Sequence, residues 1–276
     1  MKQLEIAKSL RGSPPFNGLP WFSWLVIAVI IAGIVAPLAC SQLPSSNNNA
    51  VQPKAAIIDQ LYSTQPNDDF IAQVSKDLKV YGFIVDIYQG GDVTVDFYRK
   101  LPEYGYKLII FRAHSGLIRA KGQGIVKTAI FTAEPYSRTK YLSEQVNHML
   151  PMVRVGEGEP FFFGIDSKFV TKSMEGRFDN TVIIITGCSC LYFDDMAQVF
   201  IYKGASIYLA WNRTVNADYA DEASAYLIEE LCKDVTIRKA ISRTIIEKGR
   251  DPTYRATLEY FPSDNGDKIL KQLIQQ

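Results

Sequence analysis

Residues 181–190 read TVIIITGCSC. An unbroken run of apolar and β-branched residues ends at Gly187, and two of the chain's four cysteines follow, on either side of a serine. The run is too short for a typical helix and lacks the alternation of a strand with one wet face. It fits a strand buried on both faces. Such strands belong to parallel sheets covered by helices, so the passage predicts an α/β fold with Cys188 at the carboxyl end of a buried strand.

The same grammar recurs on either side. Residues 54–62, KAAIIDQLY, read as a short buried strand. Residues 66–82 follow with Asp68 and Asp69 in a first turn, Phe70, Val74 and Leu78 spaced four apart, and Gly82 as a stop, which is an amphipathic helix. FIVDIYQ (83–89) is a second strand, 92–105 a second helical pattern, and KLIIFRAH (107–114) a third buried strand. The middle is less regular: GIVKTAIFTAEPY (124–136) suggests a hairpin, 141–150 a helix, PFFFGI (160–165) a strand and 168–174 a short helix. After the opening stretch come a helix in 194–204, the strand ASIYLAWN (205–212), and helices near 217–233 and 236–249. The expected architecture is one α/β domain over 54–276. It would be a three-layer sandwich with a mostly parallel sheet and an elaborated insertion between the third and fourth strands.

Composition narrows the function classes. The chain has 276 residues, 47% hydrophobic, with a net charge of +1, so it carries a good-sized core and no electrostatic footprint for nucleic acid. Residues 21–40, WFSWLVIAVIIAGIVAPLAC, contain no charge. At about 1.5 Å per residue they span a bilayer core of roughly 30 Å. Lys2, Lys8 and Arg11 precede this segment and no charge follows it in 41–53. The positive-inside rule then gives a cytoplasmic segment 1–20, a transmembrane signal anchor 21–40, a linker 41–53 and an extracytoplasmic domain. The expected localisation is therefore the cell membrane, single-pass. Small Ala39 before Cys40 also resembles a lipoprotein cleavage box, and a cleaved secreted form is a third possibility; all three place the domain outside the cytoplasm. Disulfides are permissible there, yet the spacing of Cys188 and Cys190 does not favour a bond between them and no framework is evident. Asn212-Arg213-Thr214 is a glycosylation sequon.

In open α/β sheets, sites form beyond the carboxyl ends of the strands. That places attention on Asp59, on 89–91, on 114–116, on 188–190 and on 212–221. His114, one of just two histidines, ends one buried strand and Cys188 ends another. A cysteine nucleophile needs a proton acceptor and its leaving group needs a proton donor, and histidine serves both. If their strands are neighbours, both side chains emerge at one edge. Periodicity alone leaves open a loop histidine and a small core cysteine. A metal pair lacks third and fourth ligands, so no metal is expected; the resemblance described next implies no organic cofactor either.

LIIFRAHSG and TVIIITGCSC together resemble the His and Cys blocks of the caspase-like cysteine peptidases, a superfamily that includes caspases, legumain, gingipains, clostripain, separase and the CHAT domains. The sequel in 194–231, with Gly-Ala, a strand ending in Trp211, Val215 and acidic residues opening a helix, resembles the separase and CHAT versions. The likeness covers about half the chain. It implies a cysteine endopeptidase with Cys188 as nucleophile, His114 as proton donor to the leaving amine, and backbone N–H groups at Ser115, Gly116 and Cys188 as the oxyanion hole. The family usually has glycine directly after histidine; here Ser115 intervenes. Cys190 is the fallback nucleophile. The resemblance also implies a carboxylate lining the pocket for the substrate residue before the scissile bond: Asp221 first, Asp218 second, Asp59 third, hence cleavage after Arg or Lys. The partners expected are a protein or peptide substrate and, through 21–40, a membrane; the sequence sets no oligomeric state. The alternative is an inactive caspase-like binding or scaffold domain.

Overall fold

The computed structural model describes residues 52–120 and 124–275, all within the compact unit Ala50–Gln276. The apolar segment 21–40, its flank 1–20, Cys40 and nearly all of the linker lie outside the described residues. Among the described residues, no helix is long and apolar enough to cross a membrane.

The chain opens with β1 (Lys54–Asp59), α1 (Asp68–Tyr81) and β2 (Ile84–Gln89). The α1 boundaries follow from local chemistry. The Asn67 side chain accepts the Phe70 N–H, and Gly82 takes the left-handed conformation that ends the helix. Then come α2 (Val95–Lys100) and β3 (Leu108–Arg112). An insertion carries β4 (Ser115–Ala120), β5 (Gly124–Pro135), α3 (Leu142–Val146), β6 (Met152–Val153), β7 (Phe162–Asp166) and α4 (Ser167–Lys172). The main sheet resumes with β8 (Thr181–Ile185), α5 (Asp195–Tyr202) and β9 (Ala205–Trp211). The chain closes with α6 (Ala217–Leu231), α7 (Ile237–Lys248), β10 (Leu258–Phe261) and α8 (Leu270–Ile274).

The main sheet has the order β10-β9-β8-β3-β1-β2, parallel except for β10. Alternate residues of the central strands feed two cores. Ile57, Ile110, Ile184 and Leu209 face α1, α6, α7 and α8. Ile58, Phe111, Ile185 and Tyr208 face α2, α4 and α5. A mostly parallel α/β sheet with helices on both faces is the expected class. The insertion between β3 and β8 forms a second, antiparallel sheet of order β4-β5-β7-β6. Residues 124–136, expected to fold on themselves as a hairpin, instead run as the single strand β5, whose hairpin partner is β4. Four elements go beyond the sequence reading: β4, the two-residue β6, the antiparallel edge β10 and the short α8.

Asn212, the asparagine of the sequon, has a structural part. Its amide donates to Thr257 Oγ1 (3.0 Å) and Glu259 Oε1 (2.6 Å) and accepts the Thr257 N–H (3.0 Å), so it ties the end of β9 to the start of β10. A glycan on that nitrogen would replace one of the two hydrogens that make these donor bonds.

β3 and β8 lie side by side, with Phe111 beside Ile185. Past their ends the two chains close to near contact at Gly187. A Cβ built there would sit 2.2 Å from the Ala113 carbonyl oxygen and 2.3 Å from Ser115 Oγ. The glycine is required by crowding between two backbones. Gly187→Ala is therefore expected to lower stability by about 1–3 kcal/mol or more, the usual range for overpacking, in denaturant unfolding of the full chain. A variant as stable as wild type would show that the two strand ends move apart freely.

Candidate active site

His114 and Cys188 extend from neighbouring strands at the same carboxyl edge. Strand adjacency is the condition the sequence reading required, and β3–β8 pairing meets it. The main chain around His114 is held on both sides. Its N–H donates to Gln60 Oε1 (2.9 Å) and its carbonyl accepts the Phe131 N–H (2.8 Å). The imidazole packs against the Phe131 ring with centroids 5.8 Å apart. No side-chain hydrogen bond to the imidazole occurs among the described residues, so packing orients it. Burial, and then the nearby Arg112 charge, lower its pKa below the ordinary histidine value.

Cys188 is half-buried, and its thiol donates to the Val215 carbonyl at 3.5 Å. Burial raises its pKa above the ordinary thiol value, and the Asp251 charge adds to it. Near neutral pH the edge therefore holds a thiol and a neutral imidazole, not a thiolate–imidazolium pair. Directly after Cys188 the chain reverses through Ser189, whose φ of 57° is left-handed, and the Ser189 N–H donates to the Arg213 carbonyl (2.9 Å).

The expected oxyanion donors separate. The Phe131 N–H reaches His114 across the β4–β5 ladder, so Ser115, one residue on, sits opposite Ile130 at a non-hydrogen-bonded position. Its N–H faces away from β5. Gly116, the next residue, turns its N–H back towards β5 and is spent on the ladder, which removes it from the expected oxyanion set. Cys190 is fully buried, and burial pushes its thiol up to about 12. It is a core residue beneath the edge, which removes it as a fallback nucleophile.

The carboxylates depart furthest from expectation. Asp59 and Asp221 are both buried, and Arg112 lies between them. Its Nε and Nη2 grip Asp221 (3.0 and 2.8 Å), and its Nη1 donates to Asp59 Oδ1 (2.7 Å). Nη2 also reaches the Gln65 carbonyl (2.7 Å), and Asn67 Nδ2 donates to Asp221 (2.8 Å). The guanidinium expected from a substrate is supplied by the chain itself, two residues before His114. Asp218, in the first turn of α6, is the one of the three that is exposed.

Sequence reasoning missed Arg112, Gln60 and Asn67. An arginine in the apolar run of 107–114 was the available signal, since a buried guanidinium demands carboxylates. The described residues contain no group of three or more His, Cys, Asp or Glu side chains able to hold a metal ion. No family model matches the chain, and no curated protein matches it.

Two predictions follow from these electrostatics. Burial raises the Asp59 pKa while Arg112 pulls it down. Without Arg112 that pull is gone, so the folded protein keeps protons that the unfolded chain releases above about pH 4. Stability is then lost as pH rises through that window. Arg112→Ala should cost about 3–5 kcal/mol at pH 7, the usual cost of breaking a buried pair, and less as pH falls towards 4. A deficit constant from pH 4 to 8, measured by urea unfolding against wild type, would contradict this. Separately, iodoacetamide alkylation of Cys188, mapped by mass spectrometry, should keep rising with pH beyond about 8.5, the ordinary thiol value. A plateau reached by pH 7 would instead reveal a resting thiolate–imidazolium pair.

Proposed function

We propose that this chain is a caspase-like cysteine endopeptidase with a Cys188–His114 dyad. The observation that carries the reading is the adjacency of the parallel strands β3 and β8, past whose carboxyl ends His114 and Cys188 lie. Further support comes from the crowding that demands glycine at 187, from the outward-facing Ser115 N–H, and from the layered α/β architecture with its antiparallel final strand.

The chemistry starts from neutral groups. As Cys188 Sγ attacks the scissile carbonyl carbon, its proton passes to His114 and the carbonyl electron pair moves onto oxygen. The Ser115 and Cys188 N–H groups receive that oxyanion. Collapse expels the amine, which takes the proton from His114 and leaves a thioester on Cys188. Water then attacks the thioester while His114 removes its proton. The acid product departs and the thiol is restored. Asp59 and Asp221 are not part of the specificity proposal, because Arg112 occupies both. Exposed Asp218 remains the carboxylate through which a basic substrate residue would be favoured. The reading includes an outward-facing domain anchored through residues 21–40.

A second reading, an inactive binding domain of the same fold, draws on one observation: the thiol is turned to the Val215 carbonyl and kept neutral by burial. One experiment separates the two. The full chain, in detergent micelles, is treated with peptidyl acyloxymethyl ketones bearing Arg, Lys, Asp, Leu or Ala before the ketone, and adducts are mapped by mass spectrometry. The peptidase reading expects an adduct on Cys188, absent in Cys188→Ala and slowed about 100-fold or more in His114→Ala, the scale of lost acid–base catalysis. Folded protein that takes iodoacetamide on Cys188 and none of the ketones would establish the binding-domain reading.

A further inference from the structure

Ser115 occupies the position directly after the histidine, and its side chain is nine-tenths buried. Its hydroxyl donates to the carbonyl oxygen of Cys188 at 2.8 Å. That carbonyl belongs to the peptide joining Cys188 to Ser189, whose N–H donates to the Arg213 carbonyl at 2.9 Å. The peptide plane is thus gripped on both sides, by β4 through Ser115 and by the loop after β9 through Arg213. Two hydrogen bonds on opposite sides of one peptide fix the torsion that precedes it, here ψ of Cys188. The left-handed φ of Ser189 constrains the other end of that unit. With ψ set, the direction of the Cys188 Cα–Cβ bond follows, and so does the arc open to the thiol.

The same residue is tied to His114. The peptide between His114 and Ser115 is held through the His114 carbonyl by Phe131, and the preceding peptide through the His114 N–H by Gln60. The Ser115 hydroxyl is therefore a direct cross-link between the main chain that carries the proton carrier and the main chain that carries the nucleophile. No hydrogen bond joins the imidazole to the thiol among the described residues, so their separation rests on the backbone. The space at Gly187 supports the same point. A Cβ there would fall 2.3 Å from Ser115 Oγ, so the hydroxyl occupies the gap that the glycine leaves open.

We propose that Ser115 is a positioning residue whose hydroxyl sets the Cys188 thiol against His114, in addition to presenting its backbone N–H towards the oxyanion. The proposal rests on the peptidase reading above. A single neutral hydrogen bond is worth about 1 kcal/mol, so its loss from the reacting geometry should slow bond formation by roughly fivefold to tenfold. Binding of the substrate chain, which this hydroxyl does not touch, should be unaffected.

The test uses the full chain and the acyloxymethyl ketone that labels Cys188 fastest, with Ser115→Ala, Ser115→Thr and Thr244→Val. Thr244 lies on α7 and donates to the Ala240 carbonyl, so its valine variant removes a buried hydroxyl remote from the edge. Ser115→Ala keeps the backbone N–H and removes only the side-chain bond. The expected result is a maximal labelling rate roughly fivefold to tenfold lower, an unchanged half-saturating probe concentration and an unchanged pH midpoint. Ser115→Thr should recover most of the rate, and Thr244→Val should keep it even if its Tm falls as far. Equal rates in wild type and Ser115→Ala would overturn the proposal while leaving the peptidase reading intact. So would a rate that tracks Tm across all three variants. Absence of any Cys188 adduct in the wild type would remove the peptidase reading and this proposal with it.

Discussion

A single guanidinium holds the carboxyl edge of the sheet together. Arg112, at the end of β3, is bonded to Asp59 at the end of β1 and to Asp221 in α6, and it reaches the Gln65 carbonyl in the loop leading to α1. Asn67 extends the network: one atom caps α1 and another donates to Asp221. Burying three charges is costly, and only close, multiple hydrogen bonds offset the loss of water. The compensation is incomplete, because Asp59 Oδ2 has no partner among the described residues. Burial opposes the charge on Arg112, yet the Asp221 and Asp59 contacts outweigh it and hold the arginine pKa above its ordinary value. The arginine stays charged, and the strand ends that precede His114 stay in register.

The same network limits what the edge can recognise. Two carboxylates placed after strands look like a receptor for a basic side chain, and the chain satisfies them internally. The Arg112 charge also bears on chemistry, since it joins burial in keeping His114 neutral. Burial does the same to the thiol from the other direction. A neutral, half-buried thiol is a poor target for oxidants, because the thiolate is the species that oxidises. In the proposed setting outside the cytoplasm, a dyad that ionises only as it reacts would combine nucleophilic chemistry with survival between encounters. In that proposal the backbone clamps at Gln60, Phe131 and Ser115 do the positioning that an ion pair can perform in thiol enzymes.

Much of the architecture was legible because its signals are local. Continuous β-branched runs mark strands buried on both faces, and period-four apolar residues with Asp68 and Asp69 in the first turn and Gly82 after them mark α1. β10 and α8 were missed because each spans only four or five residues, too few for a period to show. β4 was missed because its strand character comes from pairing with β5 and not from its own composition. The placement of His114 and Cys188 just past two strand ends was legible too, since a strand's carboxyl end is a position in sequence as well as in space.

The sequence by itself determined the alternation of strands and helices and the two strand ends that carry His114 and Cys188. Tertiary structure alone decided the partners of the charges. Arg112 sits 53 residues from Asp59 and 109 from Asp221, and no local pattern states which carboxylate a buried guanidinium will meet. It likewise decided that the Ser115 hydroxyl would meet a carbonyl 73 residues away. Periodicity reports which face of an element is dry, a property of neighbours along the chain. Hydrogen bonds and ion pairs report which faces meet, and that is settled only when the strands assemble side by side.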